Sequence, residues 1–487
     1  MNILKDILYH VALKSVQGST DKSINSLQYD SRKISVNDVF VAIKGAQSDG
    51  HSFIDKAIEN GACVIVAETI PQEKAEHVTY VEVQSSASAL AFMAANFYGH
   101  PSKNLKLIGV TGTNGKTTIT SLLFNLFKAA GYKVGLISTV KIMVDEISYS
   151  TTHTTPDSLV INAYLKQMNE AGVEFCFMEV SSHGIDQKRT EGLDFKGGIF
   201  SNLSHDHLDY HSSFANYRDV KKSFFDLLPK SAFALTNADD KNGKIMLQNT
   251  KAKTYTYALK SYADYRTQIL ENHFKGLLLK INDSDIWVKL IGHFNAYNLT
   301  AVFACADILG LEKDELLRFM STLDNVSGRF DYFVTPSNIT VIVDYAHTPD
   351  ALKNVLQTIN EIRTKNEDLI AVVGCGGDRD KTKRPRMGHI ASVLSSKVIF
   401  TSDNPRSENP ETIISQMEEG VEPQNFKKII AITNRKQAIK TACQMAKPKD
   451  IILVAGKGHE SYQEINGVRS EFNDYVVAQE CLNQLQK

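Results

Sequence analysis

From residue 334 onward the sequence alternates between short apolar runs and helical patterns, and few folds accept that alternation. The runs fall at 340–343, 369–373, 397–400, 428–432 and 450–454. Each has the length of a buried strand, and the stretches between them repeat apolar residues at helical spacing. The first such stretch begins at Thr348-Pro349, an N-cap followed by proline at the first helical position. It continues with Leu352, Val355, Leu356, Ile359 and Ile362. Strand–helix–strand alternation predicts a parallel, doubly wound sheet. Ligands of such sheets bind outside the carboxyl ends of the strands. The residues after the five runs are Asp344-Tyr345-Ala346-His347, Gly374 to Asp380, Asp403-Asn404-Pro405-Arg406, Asn434-Arg435 and Gly456-Lys457-Gly458-His459-Glu460. One polar loop means little, but five on one rim predict a site.

The chain has 487 residues, and at roughly 150 per domain two more units are expected upstream. Residues 1–103 carry short apolar runs such as 39–43 and 63–67, with a predicted helix from Ser52 to Asn60 that ends at Gly61. This reads as a small α/β domain, with Pro101-Ser102-Lys103-Asn104 as a linker. Residues 104–333 open on a strand at 105–110, a Gly-rich loop, and a helix with Ile119, Leu122, Leu123, Leu126, Phe127 and Ala130 on one face. That order predicts a phosphate-binding α/β domain, followed by the doubly wound one at 334–487.

The loop is Thr111-Gly112-Thr113-Asn114-Gly115-Lys116-Thr117-Thr118. Glycines let backbone N–H groups turn inward around phosphates, and the helix N-terminus adds positive partial charge. Lys116 is placed to reach the β and γ phosphates and Thr117 to bind magnesium. The loop departs from the usual GxxxxGK[ST] because position 110 is Val. No NKxD stretch favours guanine, so ATP is expected.

Glu179 breaks the apolar run Phe175-Cys176-Phe177-Met178-Glu179-Val180. A buried carboxylate needs a partner, and near a nucleotide magnesium is the natural one. A solvent-facing edge-strand glutamate is the alternative. Ser204 to His211 holds His205, Asp206, His207, Asp209 and His211, without a second cluster to complete a zinc site. Downstream, 217–222 reads as the start of a surface helix with Lys221 solvated.

Composition narrows the partners. Lys plus Arg (54) against Asp plus Glu (55) shows no basic excess of the kind that marks a nucleic-acid coat, so no nucleic acid is expected. The six cysteines are scattered without a CxxC pair, which predicts reduced thiols in a cytoplasmic protein. The N-terminal stretch is broken by Lys5, Asp6 and His10, unlike a signal peptide, and no apolar run is long enough for a transmembrane helix.

The motifs TGTNGKTT, MEVSSHG, SNLSHDHLDYH, GHFNAYN, DYAHTPD, GCGGDRDKTKRPRMG, DNPRSE and AGKGHESYQ follow one another across all three blocks. In that order they resemble the Mur ligase family, ATP-dependent amide-forming enzymes of bacterial cell-wall synthesis. The resemblance is strongest to the members that add the third amino acid to UDP-N-acetylmuramoyl-L-Ala-D-Glu. It implies three domains: one for the UDP end, a central ATPase and a C-terminal Rossmann-like domain. It implies that Gly112, Thr113, Asn114, Gly115, Lys116, Thr117 and Thr118 bind ATP, with Asn295, Asn298, Arg329 and Asp344 completing the nucleotide site. Glu179 and His207 are implied to hold magnesium. Lys221 falls where the family carries a carbamylated lysine, formed with CO2, that binds a second magnesium; this reverses the solvated reading.

For the UDP-sugar-dipeptide the resemblance points to Tyr29, Ser31, Ala46, Gln47, Ser48, Thr154, Thr155, Ser181, Gln187 and Arg189. His153 belongs with them, although it stands where the family commonly has Asn. For the amino acid it points to Arg379, Asp403, Asn404, Pro405, Arg406, Gly456 and Glu460. His205, Ser327 and Asn473 also depart from common family residues. Family members use meso-diaminopimelate or L-lysine. The former has an extra distal carboxylate, which the planar fork of Arg406 can grip bidentately, so meso-diaminopimelate is expected. An L-lysine-adding ligase is the closest alternative. A folylpolyglutamate synthase-like ligase is a more distant one, disfavoured by the 100-residue block with Asp30-Ser31-Arg32. A monomer is expected.

Overall fold

The computed structural model describes residues 2–45, 48–207 and 210–487. Three sheets follow one another along the chain. The first has five strands in the order Leu13–Gln17, Thr79–Val83, Ala62–Ala67, Asp38–Val41, Leu27–Gln28. Only Leu13–Gln17 is antiparallel to its neighbour. Val39, Phe40, Val41, Val64, Ile65 and Val66 are all fully buried. Parallel strands covered on both faces need such unbroken apolar runs. The predicted helix 52–60 is divided: a 3-10 turn, Gly50–Phe53, precedes the α-helix Ile54–Glu59. Asp49 starts the turn by accepting the N–H of His51.

The expected linker is a packed joint. Pro101–Asn104 forms a 3-10 turn with Pro101 and Ser102 buried. Asn169 Nδ2 donates to the Pro101 carbonyl at 2.9 Å, and Asp194 N donates to Ser102 Oγ at 3.0 Å.

The central sheet has eleven strands. The strand Lys106–Thr111 lies between Phe175–Glu179 and Phe195–Phe200 and runs parallel to both. Val110 pairs with Glu179 and Thr111 with Phe200. The Gly-rich loop therefore leaves the sheet beside Glu179 and Ser201. The helix Lys116–Ala129 buries Ile119, Leu122, Leu123, Leu126 and Phe127 completely. Phe127 packs between Phe175 and Phe177, with centroids 4.5 and 5.1 Å away. Its truncation to alanine would cost about 3–5 kcal/mol. An antiparallel meander of Tyr265–His273, Gly276–Ile281 and Ser284–Val288 closes the far edge.

The third sheet has six strands, in the order Asp331–Val334, Thr340–Asp344, Ile451–Ala455, Leu369–Val373, Lys397–Phe400, Ile429–Ala431. The five expected strands are present and mutually parallel, so the loops after them gather at one end. The sixth, Asp331–Val334, is an antiparallel edge. Thr348 caps the helix Pro349–Ile362 by accepting the N–H of Ala351 at 3.3 Å. Among the described residues no helix is long and apolar enough to cross a membrane.

Candidate active site

The phosphate loop is held from below by two lysines. Lys116 Nζ donates to the carbonyls of Gly112 at 2.9 Å and Thr113 at 2.8 Å. Lys221 Nζ donates to the same Gly112 carbonyl at 2.9 Å. Gly112 has a φ of 147°, and a Cβ there would overlap Ser201 Oγ, so only glycine permits this approach. Burial lowers Lys116 below its ordinary pKa, against the pull of Glu179 and Asp206. Burial and the nearby Lys116 push Lys221 well below its ordinary value. Lys221 is thus not the solvated lysine its neighbours in sequence predict. It lies on the buried face of the helix Phe214–Asp226 and is 1% exposed. Thr113 Oγ1 lies 3.1 Å from the hydroxyl of Tyr217 on that helix.

Glu179 is fully buried on an interior strand, which removes the edge-strand alternative. Its carboxylate accepts from Thr139 N at 2.8 Å and Thr139 Oγ1 at 3.1 Å. His207 Nε2 lies 3.5 Å from Asp206 Oδ2. Burial lowers the His207 pKa and favours the neutral ring, the form that binds metals. Burial raises Asp206, but His207, His347 and Lys383 outweigh it and hold this carboxyl below its ordinary value.

The loop faces a cavity of about 660 Å³ whose opposite wall comes from the end of the strand Thr340–Asp344, the loop after it and the helix Pro349–Ile362. Glu179, His207, Asn298, Arg329 and Asp344 all line it, as do Thr113 to Thr118. Arg329 Nη2 donates to Thr117 Oγ1 at 3.1 Å. Asn114 Nδ2 donates to Asp350 Oδ2 at 3.3 Å. Asp344 accepts the N–H of Phe330 at 2.7 Å, and burial pushes its carboxyl up to about 6 against the opposing Arg329. Asn298 fills the space beside Gly115, where a Cβ would meet its Oδ1 at 2.6 Å. Asn295 is buried, and its amide accepts from Asn298 at 3.1 Å and donates to Ile291 O at 2.9 Å.

The residues singled out for the sugar-dipeptide form a second group. Arg189 donates to the Thr155 carbonyl at 2.6 Å and to Gln187 Oε1 at 2.6 and 3.1 Å. Thr155 Oγ1 donates to the Glu179 carbonyl at 2.8 Å and accepts from Ser181 N at 2.9 Å. Thr154 Oγ1 accepts from Thr139 at 3.1 Å. Tyr29 donates to Asp157 at 3.1 Å, and burial with Asp157 pushes its phenol up to about 12. Ser31 is buried, while Ser48 and His153 are exposed. Ala46 and Gln47 lie outside the described residues.

Four of the five strand-end loops meet on the rim of the third sheet. Asn404 Nδ2 donates to Glu460 Oε2 at 2.8 Å, and Arg406 Nη1 donates to Gly377 O at 2.7 Å. The Asp403 carboxylate packs over Gly456, whose φ of 121° and missing Cβ make the room. Pro405 is buried in the same loop. Arg379 is exposed, in an open depression with Lys381 and Glu408. The loop at Asn434-Arg435 differs from the expectation. Asn434 caps a helix, and Arg435 is buried against Asp474 at 2.7 Å. Its guanidinium also reaches Ala455 O and Ser402 O at 3.0 and 3.4 Å, just before Gly456 and Asp403. It braces the rim from behind.

Sequence reasoning did not single out Thr139, Asn202 or Lys457. Asn202 accepts Asn114 N at 3.0 Å and donates back to Asn114 O at 3.0 Å. Its signal was its place directly after the strand beside the phosphate loop. Lys457, between two glycines on the rim, was visible as a motif without a role.

Three family models cover most of the chain: the Mur ligase family catalytic domain at 23–98, the Mur ligase middle domain at 110–306 and the Mur ligase glutamate ligase domain at 328–458. A UDP-N-acetylmuramoyl-L-alanyl-D-glutamate--2,6-diaminopimelate ligase of Cytophaga hutchinsonii is 50% identical, over 99% of this chain and 100% of its own. A protein of the same name from Phocaeicola vulgatus is 51% identical, over 97% and 98%. A solved structure of a ligase of that name superposes with a TM-score of 0.69 at 31% identity, over 100% of this chain and 99% of its own. With full-length relatives at half identity and family models on all three units, this chain belongs to the Mur ligase family.

Proposed function

We propose that this chain is an ATP-dependent ligase joining meso-2,6-diaminopimelate to the D-glutamate side-chain carboxylate of UDP-N-acetylmuramoyl-L-Ala-D-Glu, in peptidoglycan precursor synthesis. One observation carries the reading: a glycine-rich loop bearing Lys116 faces Arg329 and Asp344 across one cavity, in a chain half-identical to ligases of that name. The substrate carboxylate attacks the γ-phosphorus, an O–P bond forms and the bond to ADP breaks, leaving an acyl phosphate. The amine nitrogen then attacks the acyl carbon. The tetrahedral intermediate expels phosphate, and the amine proton is released. A carboxylate approaching a polyphosphate is repelled, and Lys116, Arg329 and the loop N–H groups offset that charge in place.

Thr117, Glu179 and His207 line the same cavity and offer a hydroxyl, a carboxylate and a neutral imidazole. Magnesium is held by one or two carboxylates, with phosphates and waters completing its shell, and this set fits it. Among the described residues no group of three or more His, Cys, Asp or Glu forms a cage, in keeping with an ion that arrives with a nucleotide. When bound, it would neutralise phosphate charge. For Lys221 we favour carbamylation: a lowered ammonium pKa supplies the neutral amine that attacks CO2 and releases a proton. That carbamate would hold a second magnesium. Lys221→Ala is expected to lose most activity and to recover part of it in bicarbonate; full activity in the variant would remove the role.

We assign 1–103 to the UDP end, 104–333 to ATP and 334–487 to the amino acid, and place the protein in the cytoplasm as a monomer. The test is phosphate release with ATP, magnesium and UDP-N-acetylmuramoyl-L-Ala-D-Glu, offered meso-diaminopimelate and L-lysine in parallel. Turnover with diaminopimelate alone supports the ligase and its amino acid. Turnover with lysine alone keeps the ligase and overturns the pocket, and silence with both overturns the reaction.

A further inference from the structure

We propose that Lys457 is a positioning residue for the incoming amino acid, acting through Asn404 and Glu460. The proposal rests on the ligase reading above. The Lys457 side chain is completely buried, between Gly456 and Gly458, at φ values of 121° and 52°. Its Nζ donates to Glu460 Oε2 at 2.9 Å and to Asn404 Oδ1 at 3.0 Å. The ring of Tyr462 lies 5.4 Å from the same nitrogen.

This arrangement settles which way Asn404 points. Its Oδ1 also accepts the N–H of Glu464 at 3.0 Å, so the oxygen faces two donors and the NH2 group is left for Glu460 Oε2 at 2.8 Å. The Asn404 amide is therefore committed inward. Glu460 Oε2 takes two donors from the protein. Its other oxygen, Oε1, has the Tyr345 hydroxyl at 3.5 Å, a weak contact. Oε1 is the oxygen offered to an ammonium. Lys457 and Asn404 hold Oε2 and leave Oε1 with only that weak contact; without the lysine, Glu460 gains freedom to turn and its Oε2 loses a charged partner. The order of action is Lys457, then Asn404 and Glu460, then the amino group of the substrate.

The experiment uses the full chain and steady-state phosphate release. In Lys457→Met the KM for diaminopimelate is expected to rise about tenfold to a hundredfold, the loss of one hydrogen bond to a charged group. The KM values for ATP and for the UDP-dipeptide stay within about twofold. A general loosening of the fold would move all three together, and that outcome overturns the proposal. In a Glu460→Gln background, Lys457→Met is expected to add little further loss, because both act on one contact; full additivity also overturns it. Should Lys457→Met fail to accumulate folded, Asn404→Ala with and without Glu460→Gln reads the same linkage. Absence of diaminopimelate turnover in the unmodified chain would instead refute the ligase reading, so the two failures are distinct.

Discussion

The phosphate loop and the rim of the third sheet handle buried charge in opposite ways. Around Gly112, Lys116 and Lys221 donate to backbone carbonyls, and among the described residues neither has an ion-pair partner. Along the rim, Lys457, Arg435 and Arg384 each bond a carboxylate, of Glu460, Asp474 and Glu408, at 2.9, 2.7 and 2.9 Å. The carboxylates repeat the contrast. Burial lifts Asp344 to about 6 despite Arg329, whereas bonding to Arg384 holds Glu408 down at about 2. The difference follows from what each site must receive. On the function proposed above, a nucleotide brings its own negative charge, so Lys116 waits without an acidic partner and Lys221 is left for CO2. On the same proposal the rim receives an amino acid, and its buried cations are paired with carboxylates of the protein itself.

The largest expected effect breaks the first half of this contrast. Lys116→Met should lower kcat by on the order of 10³-fold, since a cation aimed at transferring phosphate is lost. Its Tm without substrate should hold or rise, because a buried ammonium without a carboxylate is removed. A Tm that falls along with activity would erase the distinction between the two regions. Arg435→Met tests the other half with the opposite sign. Leaving Asp474 buried and unpaired should cost about 3–5 kcal/mol in urea unfolding. An unchanged midpoint would mean that the rim does not depend on its internal pairs.

Arg406→Ala should lower kcat/KM for diaminopimelate about tenfold to a hundredfold and leave any turnover of L-lysine unaffected. Equal losses for both amines would deny Arg406 the distal carboxylate. The smallest effects are pH-dependent. Asp344 is raised from 3.8 to about 6, so the stability of its protonated form is complete below 3.8 and is lost as pH rises through 6. Asp344→Asn should therefore match the wild-type Tm in acid and exceed it by a few degrees above pH 6. Glu408 is lowered from 4.5 to about 2, so its contribution is present above 4.5 and fades as pH falls toward 2. Glu408→Gln should be less stable near neutrality and indistinguishable in strong acid.

The sequence makes this contrast only half visible. The five apolar runs of the third sheet and the Gly-rich loop are legible because each is a local pattern. A buried parallel strand must be continuously apolar, and a phosphate loop must place glycines before a helix. Lys221 is not legible from spacing alone. It sits beside Lys222 and Asp219 in a polar stretch, and its burial is decided by the loop 109 residues earlier in the chain. Arg435 and Asp474 are 39 residues apart, and neither position carries a sign of the other. The joint at Pro101–Asn104 resembles a linker because proline and small polar residues mark both loose and packed turns. For Lys221, the resemblance to a family supplied what periodicity could not.

The separation of the cavity's two walls along the chain has a consequence for synthesis. Thr117 meets Arg329 across 212 residues, and Asn114 meets Asp350 across 236. At roughly 5–20 residues per second, the emerging loop waits on the order of ten to fifty seconds for its opposite wall. The carbonyl bonds of Lys116 are local to the loop, and that of Lys221 becomes available 109 residues later, still ahead of Arg329 and Asp350. Once residue 221 is made, every donor to the Gly112 carbonyl named above is on the chain while Arg329 and Asp350 are still to come, so one side of the cradle is complete in sequence before the other exists.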